Sequence, residues 1–199
     1  MKIGLFGGTF NPIHLGHVDM IQQVCEETML EKVIFIPAYI PPHKKSKNII
    51  PFSHRLEMAK LAISSYKNFE VSDIESRSQS PSYTFHTLAY FREHHPQDDF
   101  YYVMGVDSFN GIESWYHWQE VLHLANFIVI DRAGQKLEVS DATKSVLEDS
   151  PYKIYHLPLH TIPISSTLIR EKLIERESVK EFLNDSVYQY IEEYDLYRW

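Results

Sequence analysis

Six short segments rich in β-branched and aromatic residues recur along this chain: KIGLF at 2–6, KVIFIP at 32–37, FEVSDI at 69–74, DFYYVMG at 99–105, NFIVID at 126–131 and YKIYHLP at 152–158. Each reads as a strand. Helical patterns separate most of them. The stripe His14, His17, Ile21, Val24, Thr28 follows the i, i+3, i+7 template, and Phe52, Leu56, Ala59, Ile63, Tyr66 repeats it. Strand and helix in alternation imply an α/β fold, a doubly wound, Rossmann-like parallel sheet with helices on both faces and right-handed crossovers. Ligands in such sheets bind beyond the carboxyl ends of the strands. From Ser165 onward the pattern is helical, through STLIREKLIE and DSVYQYIEEY, with no strand left to pair, so this segment is expected to close one side of the sheet. No internal repeat or linker-like run divides the chain. The expectation is one domain over 1–199, with a sheet core at 1–164 and a helical segment at 165–199.

Composition removes several function classes. With 44% apolar and 14% aromatic residues, the chain can build a core and is not of the disordered type. Cys25 is the single cysteine, which forbids an internal disulfide or a cysteine-rich metal knuckle and suits a reducing compartment. The N-terminus MKIGLFGG carries no signal-like segment, and no apolar run reaches membrane-spanning length; a cytosolic protein without a membrane partner is expected. Lys plus Arg number 19 against 27 for Asp plus Glu, a net charge of −8. A broad nucleic-acid surface is therefore not expected, and any phosphate site must be local. The sequence leaves open whether the chain forms a homo-oligomer.

Two stretches suggest such a local site. After the first strand the chain runs Gly7-Gly8-Thr9-Phe10-Asn11-Pro12-Ile13-His14-Leu15-Gly16-His17. Two glycines permit close approach of backbone to an anion, Pro12 fixes a turn, and His14 and His17 share one face at a helix N-terminus, where free amides and the dipole favour phosphate. A glycine turn followed by two partly buried histidines would give the same short pattern. The spacing fits neither the dinucleotide GxGxxG nor a Walker A loop. Near the other end, Ile164-Ser165-Ser166-Thr167-Leu168-Ile169-Arg170 offers a serine cap, amides facing an anion and an arginine on the first turn. Taken alone, this is an ordinary helix cap.

Together, GGTFNPIHLGH resembles the GGxFxPxHxGH signature of the nucleotidyltransferase superfamily, in particular the bacterial nicotinate-nucleotide adenylyltransferases, and ISSTLIR is similar to that family's ISSTxIR motif. Between them, Pro41-Pro42-His43-Lys44 resembles the family's PPHK loop, Pro81-Ser82-Tyr83-Thr84 its PSYT stretch, Gly105-Val106-Asp107 its GAD motif, and Trp115-Tyr116 its aromatic pair. The likeness runs from Ile3 to about Tyr197, with departures at Val106, at Asp131-Arg132-Ala133-Gly134 and at Asp195. Trp118 and Phe109 are read as packing.

The resemblance implies adenylyl transfer from ATP to nicotinate mononucleotide, giving nicotinate adenine dinucleotide (deamido-NAD) and pyrophosphate. It assigns catalysis to His14, His17, Lys44 and Arg170. It assigns ATP binding to Gly7, Gly8, Thr9, Phe10, Gly105, Asp107, Ile164, Ser165, Ser166 and Thr167. Nicotinate mononucleotide falls to Thr84, Trp115, Tyr116 and Arg132. Mg²⁺ would arrive with ATP, since no acidic cluster forms a protein cage for a metal. Competing readings are another small-molecule nucleotidyltransferase such as phosphopantetheine adenylyltransferase, a metal-dependent hydrolase suggested by the 11 histidines, and a non-catalytic nucleotide sensor. His14, His17, His43 and His54 lack compact ligand spacing and an adjacent activating glutamate, which disfavours the hydrolase.

Overall fold

Strands β1 (Lys2–Gly8), β2 (Lys32–Pro37), β3 (Phe69–Val71), β4 (Asp99–Gly105), β5 (Asn126–Asp131) and β6 (Ile154–Pro158) match the six β-rich segments closely. In the computed structural model, which describes residues 1–42, 48–78, 80–131, 136–159 and 162–198, they form one sheet in the order β3-β2-β1-β4-β5-β6. Every pairing is parallel. Three boundaries move. β6 starts at Ile154 rather than Tyr152. β1 runs on through Gly7 and Gly8, which stay paired with Ile36 and Pro37. β3 is shorter than its sequence segment because the chain leaves the ladder at Ser72 and turns into a 3₁₀ helix at Ile74–Arg77.

The connecting helices are α1 (Leu15–Thr28), α2 (Phe52–Ile63), α3 (Thr84–His94), α4 (Val106–Asn110), α5 (Trp118–Val121) and α6 (Asp141–Glu148). Successive strand residues face opposite sides, and both sides are buried, as a parallel sheet requires. Val33, Phe35, Val103, Ile128 and Ile130 pack on one face with α1 and α2. Ile3, Leu5, Ile34, Phe100, Met104, Phe127 and Val129 pack on the other with α3 to α5. The expected closing segment forms α7 (Ser166–Ile174) and α8 (Asp185–Glu193), and its Ile169, Leu173, Val187, Ile191 and Tyr197 share the core of α1 and α2. Among the described residues no helix is long and apolar enough to cross a membrane.

The inward face of α2 differs from the apolar stripe of the sequence. Its buried residues are Arg55, Met58, Ala59, Ala62 and Ile63, so a charged side chain occupies a core position. Chain order reverses at the middle of the sheet: β1 is followed by β2 and β3 on one side, and β4 returns to its other side. The loops after β1 and β4 diverge there, which opens a crevice at the carboxyl ends.

Candidate active site

The loop after β1 is held by side chains packed where its glycines have none. A Cβ on Gly7 would lie 2.7 Å from the Tyr102 hydroxyl, and one on Gly8 would lie 2.7 Å from the Phe10 ring. These glycines therefore admit protein side chains, whereas the sequence suggested room for an anion. Phe10 has φ of 47°, a left-handed conformation costly for a bulky residue. It persists because the ring is buried between Phe6, Phe35 and His17.

His14 caps α1 in an extended conformation, and its backbone amide donates to His17 Nδ1 at 3.2 Å. An accepting Nδ1 leaves the proton of the neutral ring on Nε2, so His17 offers an N–H donor. The two imidazoles stack with centroids 3.6 Å apart. Gly16 makes this possible: a Cβ there would stand 3.2 Å from His14 Nδ1.

At the crevice lies a cleft of about 400 Å³. Gly7, Gly8, Thr9, Phe10 and His17 line it from β1, the loop after it and the first turn of α1, and Ser82, Tyr83, Thr84, Tyr102, Trp115 and Tyr116 line it from β4, the start of α3 and the neighbouring loops. Ala38, Pro41 and Pro42, after β2, and Gly105, at the end of β4, also line it. Gly105 has open space where a Cβ would stand. Two helix N-termini reach the cleft, that of α1 at His17 and that of α3 at Thr84, and neither first turn carries an acid that would offset the dipole. Tyr116 is stacked on Tyr83 with centroids 4.6 Å apart, and Trp115 meets Tyr102 edge to face at 6.2 Å. The Tyr102 hydroxyl is 3.3 Å from that of Thr84; burial pushes the phenol up to about 12, so it stays protonated.

Among the described lining residues, Glu75 is the one acid. Burial raises its pKa, opposed by the Ser82 and Thr87 hydroxyls, the Tyr39 backbone and Arg55. Thr87 donates to its Oε1 at 2.9 Å.

The second motif stands against the first loop. Ser165 caps α7 by accepting from the Leu168 amide. Ser166 donates from its hydroxyl to the Pro12 carbonyl at 2.8 Å, and Arg170 gives Nη1 to the Asn11 carbonyl at 2.7 Å and Nη2 to Thr167 Oγ1 at 3.2 Å. With Ser165 as the cap, Arg170 falls on the second turn of α7, not the first, and reaches back to the loop. Asn11 is the hub: its Oδ1 accepts from the Ile50 amide and the Tyr197 hydroxyl, and its Nδ2 donates to the Asn48 carbonyl.

Of the residues marked in the sequence, Gly7, Gly8, Thr9, Phe10, His17, Thr84, Gly105, Trp115 and Tyr116 meet in the cleft. His14 joins them through its stack on His17. Asp107 is exposed on the first turn of α4. Ile164, Ser165, Ser166, Thr167 and Arg170 lie at or near the start of α7 and are not in the cleft lining. Lys44 and Arg132 lie outside the described residues. Sequence reasoning missed Tyr102, Glu75 and Arg55. Tyr102 reads as one more β-strand aromatic, and nothing in apolar periodicity marks an inward arginine.

The cytidylyltransferase-like family model matches residues 5–172. The chain belongs to that family. It is 38% identical over the whole of both chains to the probable nicotinate-nucleotide adenylyltransferase of Shewanella woodyi, and 37% identical over 98% of each to that of Clostridium botulinum. Among solved structures, the Plasmodium falciparum nicotinic acid mononucleotide adenylyltransferase, complexed with NaAD, superposes with a TM-score of 0.79 at 24% identity, covering 98% of this chain and 97% of that one. The six-stranded parallel order and the crevice after β1 and β4 are thus the architecture of a nucleotidyltransferase fold in this family.

Proposed function

We propose that this chain catalyses adenylyl transfer from ATP to nicotinate mononucleotide, releasing pyrophosphate and nicotinate adenine dinucleotide. The observation that carries this reading is one cleft lined both by a glycine-histidine loop at a helix N-terminus and by aromatic side chains beside a second helix N-terminus. The relatives named as nicotinate-nucleotide adenylyltransferases support it.

An oxygen of the mononucleotide 5′-phosphate attacks the α-phosphorus of ATP. That P–O bond forms as the bond to the bridging oxygen of the β-phosphate breaks, and the electron pair leaves with pyrophosphate. A phosphate oxyanion is already nucleophilic, so catalysis is positioning plus electrostatic stabilisation. His17 Nε2–H donates to the α-phosphate, and His14 braces it. Lys44 holds the attacking phosphate. Arg170 and the Ser165–Thr167 turn take the departing phosphates, while Gly105 and Asp107 hold the adenosine side. Thr84 and the first amides of α3 receive the nicotinate carboxylate, Trp115 and Tyr116 enclose the ring, and Arg132 is assigned to the mononucleotide.

Mg²⁺ supplies charge neutralisation to the triphosphate when it accompanies ATP. Among the described residues no three acidic, histidine or cysteine groups converge on a metal site. Residues 1–199 are read as one nucleotidyltransferase domain, supported by tail side chains that enter the core of α1 and α2.

The test is to incubate the protein with ATP and, separately, nicotinate mononucleotide, nicotinamide mononucleotide and phosphopantetheine, and to identify products by mass. Nicotinate adenine dinucleotide should form fastest, because donors aimed at a carboxylate are poorly paired by a carboxamide. Product from phosphopantetheine alone would overturn the reading.

A further inference from the structure

Arg55 sits on α2 at 1% exposure and spends its donors on main-chain carbonyls. Nε donates to Ile50 at 3.1 Å, Nη1 to Thr9 at 2.8 Å and to Ala38 at 2.6 Å, and Nη2 to Tyr39 at 3.3 Å. Thr9 belongs to the loop after β1, and Ala38 and Tyr39 to the loop after β2; Thr9 and Ala38 both line the cleft. The β1–β2 ladder ends where the Ala38 amide donates to the Gly8 carbonyl at 2.8 Å. Beyond that bond the two chains separate, and the guanidinium spans them. Ile50 extends the link, since its amide donates to Asn11 Oδ1 at 3.3 Å.

A buried cation needs compensation. Burial depresses the Arg55 pKa, while Tyr197 and Glu75, the latter at the cleft wall, act in the opposite direction. Only a guanidinium has donors in a fixed fork able to satisfy so many carbonyls at once; an ammonium on a flexible stem does not match that geometry.

We propose that Arg55 is a positioning residue that sets the distance between the two substrates, by locking the loop that holds the nucleotide to the loop that leads to the attacking mononucleotide. This rests on the adenylyl-transfer reading above. In-line displacement depends on the separation of the attacking oxygen and the α-phosphorus, and a misplacement near 1 Å costs on the order of 10²-fold in rate. Each substrate keeps its own contacts when Arg55 is changed, so binding of either alone is spared and turnover is not.

The experiment takes the full-length protein and first measures turnover with ATP and nicotinate mononucleotide. Absence of product in the parent refutes the reaction, a result separate from anything Arg55 does. For Arg55→Lys, kcat per folded molecule should fall by about 10²-fold, while calorimetric affinities for ATP alone and the mononucleotide alone stay close to the parent's. A parent-like kcat, or a loss matched by the loss of single-substrate affinity, overturns the proposal. Should Arg55→Lys not fold, hydrogen exchange on the parent decides. ATP alone should slow amide exchange at residues 38–40 as well as 8–11, and the mononucleotide alone should slow both as well. Protection by each ligand of its own loop only would show that the loops are not tied.

Discussion

One hydrogen bond sets which edge of His17 carries its ring proton. The His14 amide occupies Nδ1, so the only ring N–H of the neutral imidazole is on the opposite edge. His17→Ala should lower kcat by about 10²–10³, the cost of losing one preorganised donor, with little change in melting temperature. Steady-state kinetics beside circular dichroism would check this; a loss matched by unfolding would mark a packing histidine. Tyr102 is a second single-residue case. Its hydroxyl fills the space a Gly7 side chain would need, so Gly7→Ala should destabilise by roughly 1–3 kcal/mol through overpacking, and Tyr102→Phe should recover part of that loss in a double-mutant cycle. The phenol also gives a pH signature. Burial pushes the folded phenol up to about 12, above the ordinary 10.0, so the native state retains a proton that the unfolded chain releases. Its contribution to stability is complete below pH 10, declines above it, and is lost as pH passes the folded pKa. Thermal melts of Tyr102→Phe should therefore fall less steeply than the parent's above that pH.

At the scale of elements, the aromatic wall and α3 act together. Thr84 opens α3 beneath a Tyr83 cap that uses no side-chain oxygen, leaving the helix start to a ligand, while Trp115 is held edge-on by Tyr102. Trp115→Ala should weaken nicotinate mononucleotide by roughly 1–3 kcal/mol, the range for stacking a base on an aromatic ring, and leave ATP affinity unchanged; titration calorimetry with each ligand separates the two. The strands were legible because each is a β-branched or aromatic run bounded by polar turns, and their alternation with helices dictates a parallel sheet. The ends of β1 and β3 were not, because Gly7 and Gly8 look like a turn while remaining in the ladder, and Asp73-Ile74 looks like strand while forming a 3₁₀ turn. Much of the cleft could also be read from the resemblance of motifs. Arg55 could not: its role depends on carbonyls from Thr9, Ala38, Tyr39 and Ile50 converging on one point, which local pattern does not encode. Arg170 was legible as a residue and misplaced as a geometry, since its reach to Asn11 requires knowing that α7 lies against the first loop.

Across the whole molecule, the loop after β1 is braced from three distant parts of the chain: Ile50 before α2, Arg170 on α7 and Tyr197 after α8. Arg170 therefore has a structural grip as well as its proposed role on pyrophosphate. Arg170→Lys keeps the charge and loses the fork, so it should retain part of the activity, and Arg170→Ala very little. Both should raise the KM for pyrophosphate when nicotinate adenine dinucleotide is split back to ATP, with the mononucleotide KM moving less. A reverse-reaction pyrophosphate KM equal to the parent's in Arg170→Ala would leave this arginine its structural grip alone. The bond from Tyr197 to Asn11 joins residues separated by 186 positions. Closing so long a loop is entropically slow and is rewarded only after the sheet and both helical layers have been assembled. Recovery of enzymatic turnover should therefore lag the far-ultraviolet dichroism during refolding, the first reporting the finished topology and the second only its parts.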